Sequence, residues 1–332
     1  MTPALGRSPD SVTAERPSFD LAKRLTGVGL KTLPGDKYLI VTGDDFGISH
    51  DVNLAILRAH REGIMTSASL MVNESGFEEA VQIARSAPTL AVGLHLALSS
   101  AHSTLPPEEI SSLTDGNRSF QSSPTRSGLR YFFSQKAKLQ LEREIRAQIE
   151  KFLSTGLPLD HVNGHQHLHM HPVVFSIVLG VREEYRIPAV RIVRDSLRLN
   201  LGLDRTQLLK KGSYSFIFGA LSHRCLRQIQ GLPITHADRV WGLLQDGNLH
   251  RDHLEGLIRQ MPAGITEIYC HPSVGSGAES GRCPDREFEG LIDPGVAKLV
   301  EERGIRLTTY GRLGAGPSLP KRSEGDRVSC RN

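Results

Sequence analysis

The sequence predicts an α/β protein built on a parallel sheet, open or closed, of the (β/α) TIM-like barrel class with about seven to eight mostly parallel strands. Two observations predict this. Short apolar β runs alternate with segments of helical period along most of the 332 residues, and the polar residues of chemical interest fall where the predicted strands end. The length fits one barrel of roughly 250 residues with additional tails. Apolar residues at 39% and charged residues at 23% describe an ordinary folded chain, neither disordered nor fibrous.

The elements follow in order. Tyr38-Leu-Ile-Val-Thr42 is an apolar β run, and Val52 to His60 carries apolar residues at helical spacing up to Gly63. Ile64 to Val72 reads as a second strand, Phe77, Ala80, Val81 and Ala84 as a helix face, and Leu90 to Leu96 as a third strand. A loop-like excursion runs from about Ser99 to Ser134, longer than a plain barrel connection. Leu141, Ile145, Ile149 and Phe152 mark a helix closed by Gly156. Asp160 to Asn163 is a short strand, Pro172 opens a helix, and Ala189-Val-Arg-Ile-Val193 is the next strand. The pattern from Ser196 to Thr235 is irregular. Arg239 to Leu243, Thr266 to Cys270 and Ile305 to Tyr310 complete the strands.

The expected organisation is a disordered or amphipathic extension over residues 1–35, a barrel domain over 36–313 and a flexible tail over 314–332. Within the extension, Phe19-Asp-Leu-Ala-Lys-Arg-Leu25 has the pattern of a short amphipathic turn able to touch a membrane. Cys225, Cys270, Cys283 and Cys330 form no CxxC pair, which fits a reducing compartment. With no signal-peptide core and no apolar run long enough to span a bilayer, a cytoplasmic location is expected. A net charge of +4, with no RNP-like or zinc-finger pattern, argues against a nucleic-acid partner.

Asp44 and Asp45 follow the first predicted strand, His95 lies near the end of the third, and His165, His167 and His169 follow the fourth. Arg194 follows the fifth, and His271 closes the strand ending in Cys270. Strand carboxyl ends of a barrel share one face, so these residues converge there. Asp45-Phe46-Gly47 spells a kinase triplet, but His250-Arg251-Asp252 comes after it rather than before, and no glycine-rich loop precedes it. Five of the fourteen histidines crowd into the eleven residues His161 to His171. Alternation at period two is how an extended segment presents several imidazoles on one face. Imidazole with carboxylate suits a divalent transition ion. One carboxylate and two imidazoles leave open positions on a metal, where water is activated and a carbonyl polarised. His102, His223, His236, His250 and His253 read as solvated.

At these residues the chain resembles the YdjC-like carbohydrate deacetylases. The matching motifs are Thr42-Gly-Asp-Asp-Phe-Gly-Ile-Ser49, Gly63 to Val72, Val92-Gly-Leu-His-Leu96, Asp160 to Met170 and Glu267-Ile-Tyr-Cys-His-Pro272. They occur in family order. Leu105-Pro-Pro-Glu-Glu-Ile110, Tyr131-Phe-Phe133, Thr155 to Asn163 and Gly264 to Tyr269 are similar to the branch associated with hopanoid biosynthesis, the HpnK type.

The resemblance implies a metal-dependent hydrolase that removes the N-acetyl group from an N-acetylglucosamine-type sugar, for this branch an N-acetylglucosaminyl hopanoid. It implies Asp45, His95 and His165 as ligands of one divalent ion, Mg or Zn. Asp44 would be the general base and His271 the general acid. Arg191 and Arg194 would orient Asp44 or the substrate, and His167 and His169 belong to the same substrate-binding or orienting group. A homodimer, and peripheral contact with the inner face of a membrane, are the implied associations. Gly43 stands where the family usually has Ala, and Asn163-Gly164 replace the Asp-Ser of the chitooligosaccharide enzymes. The rival expectations are a chitooligosaccharide or other amino-sugar deacetylase, a metal-dependent phosphoesterase, and a non-catalytic sugar-lipid-binding protein.

Overall fold

The computed structural model describes residues 35–245, 247–275 and 283–314. The amphipathic extension and the tail lie outside these residues, except for Gly35 and Gly314. Among the described residues the strands are β1 (Lys37–Phe46), β2 (Ser67–Leu70), β3 (Ala91–Leu96), β4 (Val162–Gly164), β5 (Arg239–Trp241), β6 (Gly264–Cys270) and β7 (Ile305–Leu307). Every ladder between them is parallel. The order is β4-β3-β2-β1-β6-β5, with β7 paired to the first residues of β1. What the ladders establish is a parallel half-barrel. Between β4 and β5 regular pairing gives way to single bridges through Ala189, Val190 and Arg194.

The helices are α1 (His50–Glu62), α2 (Phe77–Ser86), α3 (Pro124–Phe133), α4 (Gln135–Ser154), α5 (Pro172–Val181), α6 (Leu197–Leu203), α7 (Leu208–Ile229), α8 (Arg251–Arg259), α9 (Pro284–Leu291), α10 (Pro294–Glu302) and α11 (Tyr310–Gly314). Side chains of Ser49, Ser123 and Ser134 accept from backbone N–H groups in the first turns of α1, α3 and α4, satisfying donors that the helix itself leaves open.

Alternation along the strands separates two environments. Gly43 faces outward, toward Ile56 of α1 and Met65, whereas Thr42 faces inward and donates to Glu267 of β6 at 2.7 Å. The outer face joins the apolar core with Leu39, Val41, Leu141, Ile145 and Phe152. The inner face is polar and closed to water: Thr42, Asp44, Ser69, His95, His161, Asn163, Arg191 and Glu267 are all buried. Gly93 is required here, because a Cβ would overlap the ring of His161.

Three expectations are corrected. Residues 189–193 are not a regular strand. Val162 N donates to Ala189 O and Val190 N to Thr235 O, so the segment is gripped from both sides, but β4 is only three residues long and Thr235 offers a single bridge. Residues 196–235, read as irregular, contain α6 and the 22-residue α7. The excursion over 99–134 ends in α3 rather than staying loop-like throughout. No helix among the described residues is long and apolar enough to cross a membrane.

Candidate metal centre and hydrolytic site

In a regular strand two consecutive aspartates would point to opposite faces. β1 avoids this by a register shift between Gly43 and Phe46, with Asp45 in the left-handed region at φ 60°. Aspartate tolerates that conformation better than most residues. The shift lets Asp44 face Arg191 while Asp45 turns to the histidines.

Asp45, His95 and His165 each place a ligand atom within 4.8 Å of the others, a group able to hold a metal ion. His165 Nδ1 lies 2.8 Å and His95 Nε2 3.2 Å from Asp45 Oδ1. On the far side of its ring, His95 Nδ1 contacts Asn163 Oδ1 at 2.6 Å. Because an amide oxygen only accepts, the proton sits on Nδ1 and the Nε2 lone pair faces Asp45. Nε2 is buried with no hydrogen-bond partner among the described residues. Such an orphan beside a carboxylate is what a cation would satisfy, and the residues fit one. Burial opposes ionisation of Asp45, but His165 above all, with His271, holds its carboxyl well below the ordinary carboxylate range.

Arg191 is fully buried and bridges two carboxylates. It reaches Asp44 at 2.5 and 2.9 Å and Glu267 at 2.8 Å, while Tyr310 donates to the other Glu267 oxygen at 2.5 Å. Burial disfavours the Asp44 anion, yet the Arg191 guanidinium above all keeps it ionised and depresses its pKa. The ring of Tyr269 lies against the guanidinium, 4.7 Å from centroid to carbon.

The remaining expected residues separate. His271 lies at the end of β6, its backbone N–H donating to Glu287 at 2.7 Å, and it lines the same cavity as Asp44 and His95. His167 also lines that cavity, with Nε2 2.8 Å from the Tyr269 hydroxyl. His169 does not line it. It is buried, and desolvation with the nearby His167 and Arg191 keeps its ring neutral, Nε2–H donating to Arg191 O. Arg194 is exposed and donates to Asp238 O at 3.0 Å; the structure does not bring it to Asp44. The histidine run is not extended: residues 165–170 form a 3-10 turn with Gln166 and His167 at positive φ. Its imidazoles therefore point to different partners instead of sharing one face. Nor is His253 solvated, being 5% exposed.

The cavity measures about 690 Å³. Asp44, His95, His165 and His271 form its polar end, and Leu129, Phe132 and Phe133 of α3 with Tyr214, Ile217 and Phe218 of α7 form apolar walls.

The model of the YdjC-like protein family matches residues 38–302. The chain belongs to the YdjC-like family. Among YdjC-like relatives, a carbohydrate deacetylase of Brevibacillus brevis is 47% identical over 290 residues, covering 83% of this chain and 99% of that one. A carbohydrate deacetylase of Geobacillus stearothermophilus is 32% identical, covering 82% and 97%. The crystal structure of an Enterococcus faecalis protein named for cellobiose-phosphate cleavage superposes with a TM-score of 0.62 at 27% identity, covering 84% of this chain and 99% of that chain.

This YdjC-like chain uses residues that the sequence reading passed over. Asn163 orients His95, and Glu267 and Tyr269 flank Arg191. A signal for Glu267 was present, since one charge inside the run Thr266-Glu-Ile-Tyr-Cys270 needs a buried partner. Gly43 also has a reason: a Cβ there would fall 2.8 Å from Ile56 Cγ1 and from Met65 Cε.

Proposed function

We propose that this chain is a metal-dependent carbohydrate deacetylase that hydrolyses the N-acetyl group of an N-acetylglucosamine-type sugar carried on an apolar aglycone, an N-acetylglucosaminyl hopanoid in the reading carried by its motifs. The catalytic unit is residues 36–313, with the barrel closed through residues 188–194. The observation that carries the proposal is the convergence of Asp45, His95 and His165 beside Asp44, at the polar end of a cavity whose walls are apolar.

A divalent ion held by Asp45, His95 and His165 would supply Lewis acidity, polarising the acetyl carbonyl and acidifying water. Two imidazole ligands favour zinc over magnesium, which prefers oxygen. Asp44, held ionised by Arg191, takes the proton of the attacking water as its oxygen bonds to the acetyl carbon. His271, on the same cavity wall, gives a proton to the sugar nitrogen as the C–N bond breaks, so acetate and a free amine leave. His167, held by the Tyr269 hydroxyl, would orient the sugar, and the apolar walls would take the aglycone.

The deciding experiment measures acetate released from a soluble N-acetylglucosamine conjugate and from a glycolipid, before and after treatment with dipicolinate. Release that stops on chelation and returns with one equivalent of Zn²⁺ is expected. Release indifferent to the chelator would refute the metal's role. Release from chitooligosaccharides but not from the glycolipid would reassign the substrate.

A further inference from the structure

The apolar lining of the cavity reaches the surface on α3 and α7, where Leu129, Phe133 and Ile217 line it and are 50% or more exposed, forming a rim. Elsewhere on the surface of α7, Leu209 is 91% and Phe216 80% exposed, with Leu208 at 56%. Of the 22 residues of α7 only Lys211, Ser222, Cys225 and Ile229 are buried; Phe218, Leu221 and Leu226 pack half-buried against the core, and Leu208, Leu209 and Phe216 stand on the exposed side. Isolated exposed apolar side chains need no explanation, but this many on the two helices that wall the cavity mark an interaction surface.

Charge indicates the partner. No Asp or Glu occurs from residue 116 to 141 or from 205 to 237, the stretches that contain α3 and α7, and each stretch holds five Lys or Arg. The nearest acids are already engaged: Asp204 pairs with Lys211 at 2.6 Å, and Glu142, further along on α4, pairs with Arg146 at 3.2 Å. An apolar rim on segments that carry Lys and Arg but no acid, Lys211 alone among these cations being buried and paired with Asp204, is complementary to an anionic bilayer, where apolar side chains enter the acyl boundary and cations meet the headgroups. A second copy of the chain fits poorly, because a two-fold contact would set the same cations against each other and close the mouth.

We propose that the α3–α7 rim docks on an anionic phospholipid surface and opens the cavity toward the lipid. This deepens the deacetylase reading by placing its glycolipid substrate in the membrane, and it locates a membrane contact on α3 and α7 instead of on residues 19–25.

The test is co-sedimentation of the full chain with vesicles of phosphatidylcholine alone or with about one third phosphatidylglycerol. The expected result is binding at least about tenfold stronger to the anionic vesicles, weakened by salt. The double substitution Leu209→Ser and Phe216→Ser is expected to lower that binding by about tenfold or more, since each buried Leu or Phe contributes on that scale. Acetate release from a soluble conjugate is expected to stay unchanged, which shows the variant to be folded. Equal binding of wild type and variant, or no binding, would overturn the proposal. So would a dimer abolished by the two substitutions in a chain that ignores vesicles, which would assign the rim to a second copy. Vesicle binding without acetate release would uphold the docking surface and count against the deacetylase reading alone.

Discussion

Arg191 grips Asp44 through both carboxylate oxygens, at 2.5 and 2.9 Å, with the guanidinium wholly buried and the carboxylate nearly so. The same guanidinium holds Glu267, so one cation serves two buried anions. Removing one partner of such a group leaves an uncompensated charge in a low-dielectric interior, which costs more than the pair contributes. Arg191→Met is therefore expected to destabilise the fold by about 3–5 kcal/mol, measured by urea unfolding at neutral pH. A loss of only about 1 kcal/mol, the worth of an exposed pair, would contradict the buried network.

Asp44 touches the cavity but is not part of the metal trio. Asp44→Asn is expected to keep about one bound ion while turnover falls at least about a hundredfold, the usual scale of base catalysis. Metal analysis alongside single-turnover kinetics separates the two effects. If the ion is lost with the activity, Asp44 is a ligand.

Asn163 fixes the tautomer of His95 by accepting from Nδ1 at 2.6 Å. Partners of this kind typically carry about 10–100-fold of metal affinity. Asn163→Ala should weaken Zn²⁺ binding by that factor in competition titration, and Asn163→Asp should retain more of it. Equal affinity in all three proteins would remove Asn163 from the site's support.

His253 gives a pH dependence away from the reaction site. Burial lowers its pKa to about 4 from 6.5, helped by His250 and Lys211 and opposed by Asp204. Between these values the unfolded chain binds a proton that the folded chain refuses, so its contribution is complete above 6.5 and is lost as pH falls toward 4. Relative to His253→Gln, wild type should lose stability across that window at no more than about 1.4 kcal/mol per pH unit. Parallel urea midpoints from pH 7 to 4.5, a range of roughly that window, would refute a buried neutral His253.

The positions of the candidate residues were legible early because a parallel strand delivers its last side chains to one face. Strand ends picked out Asp44, Asp45, His95, His165 and His271 together with His167, His169 and Arg194, and only the family resemblance separated the first five. The helices with a clean apolar stripe, such as α4 with Leu141, Ile145, Ile149 and Phe152 on its buried face, were equally readable. α7 was not. Periodicity reports burial, and a helix whose large apolar residues Leu209 and Phe216 face outward carries no stripe to detect. Residues 189–193 misled for the opposite reason: their β-branched pattern is genuine, but a ladder needs neighbours of matching length, and β4 ends after three residues.

By itself, then, the sequence determined the alternation of elements, the placement of carboxylates and imidazoles at strand ends, and the family likeness. Only the tertiary structure decided which groups meet. The turn of Asp45 to φ 60°, the reach of Arg191 across to Asp44 and Glu267, and the exclusion of Arg194 all depend on contacts between segments distant along the chain. Such contacts are set by packing and desolvation, which local pattern does not encode.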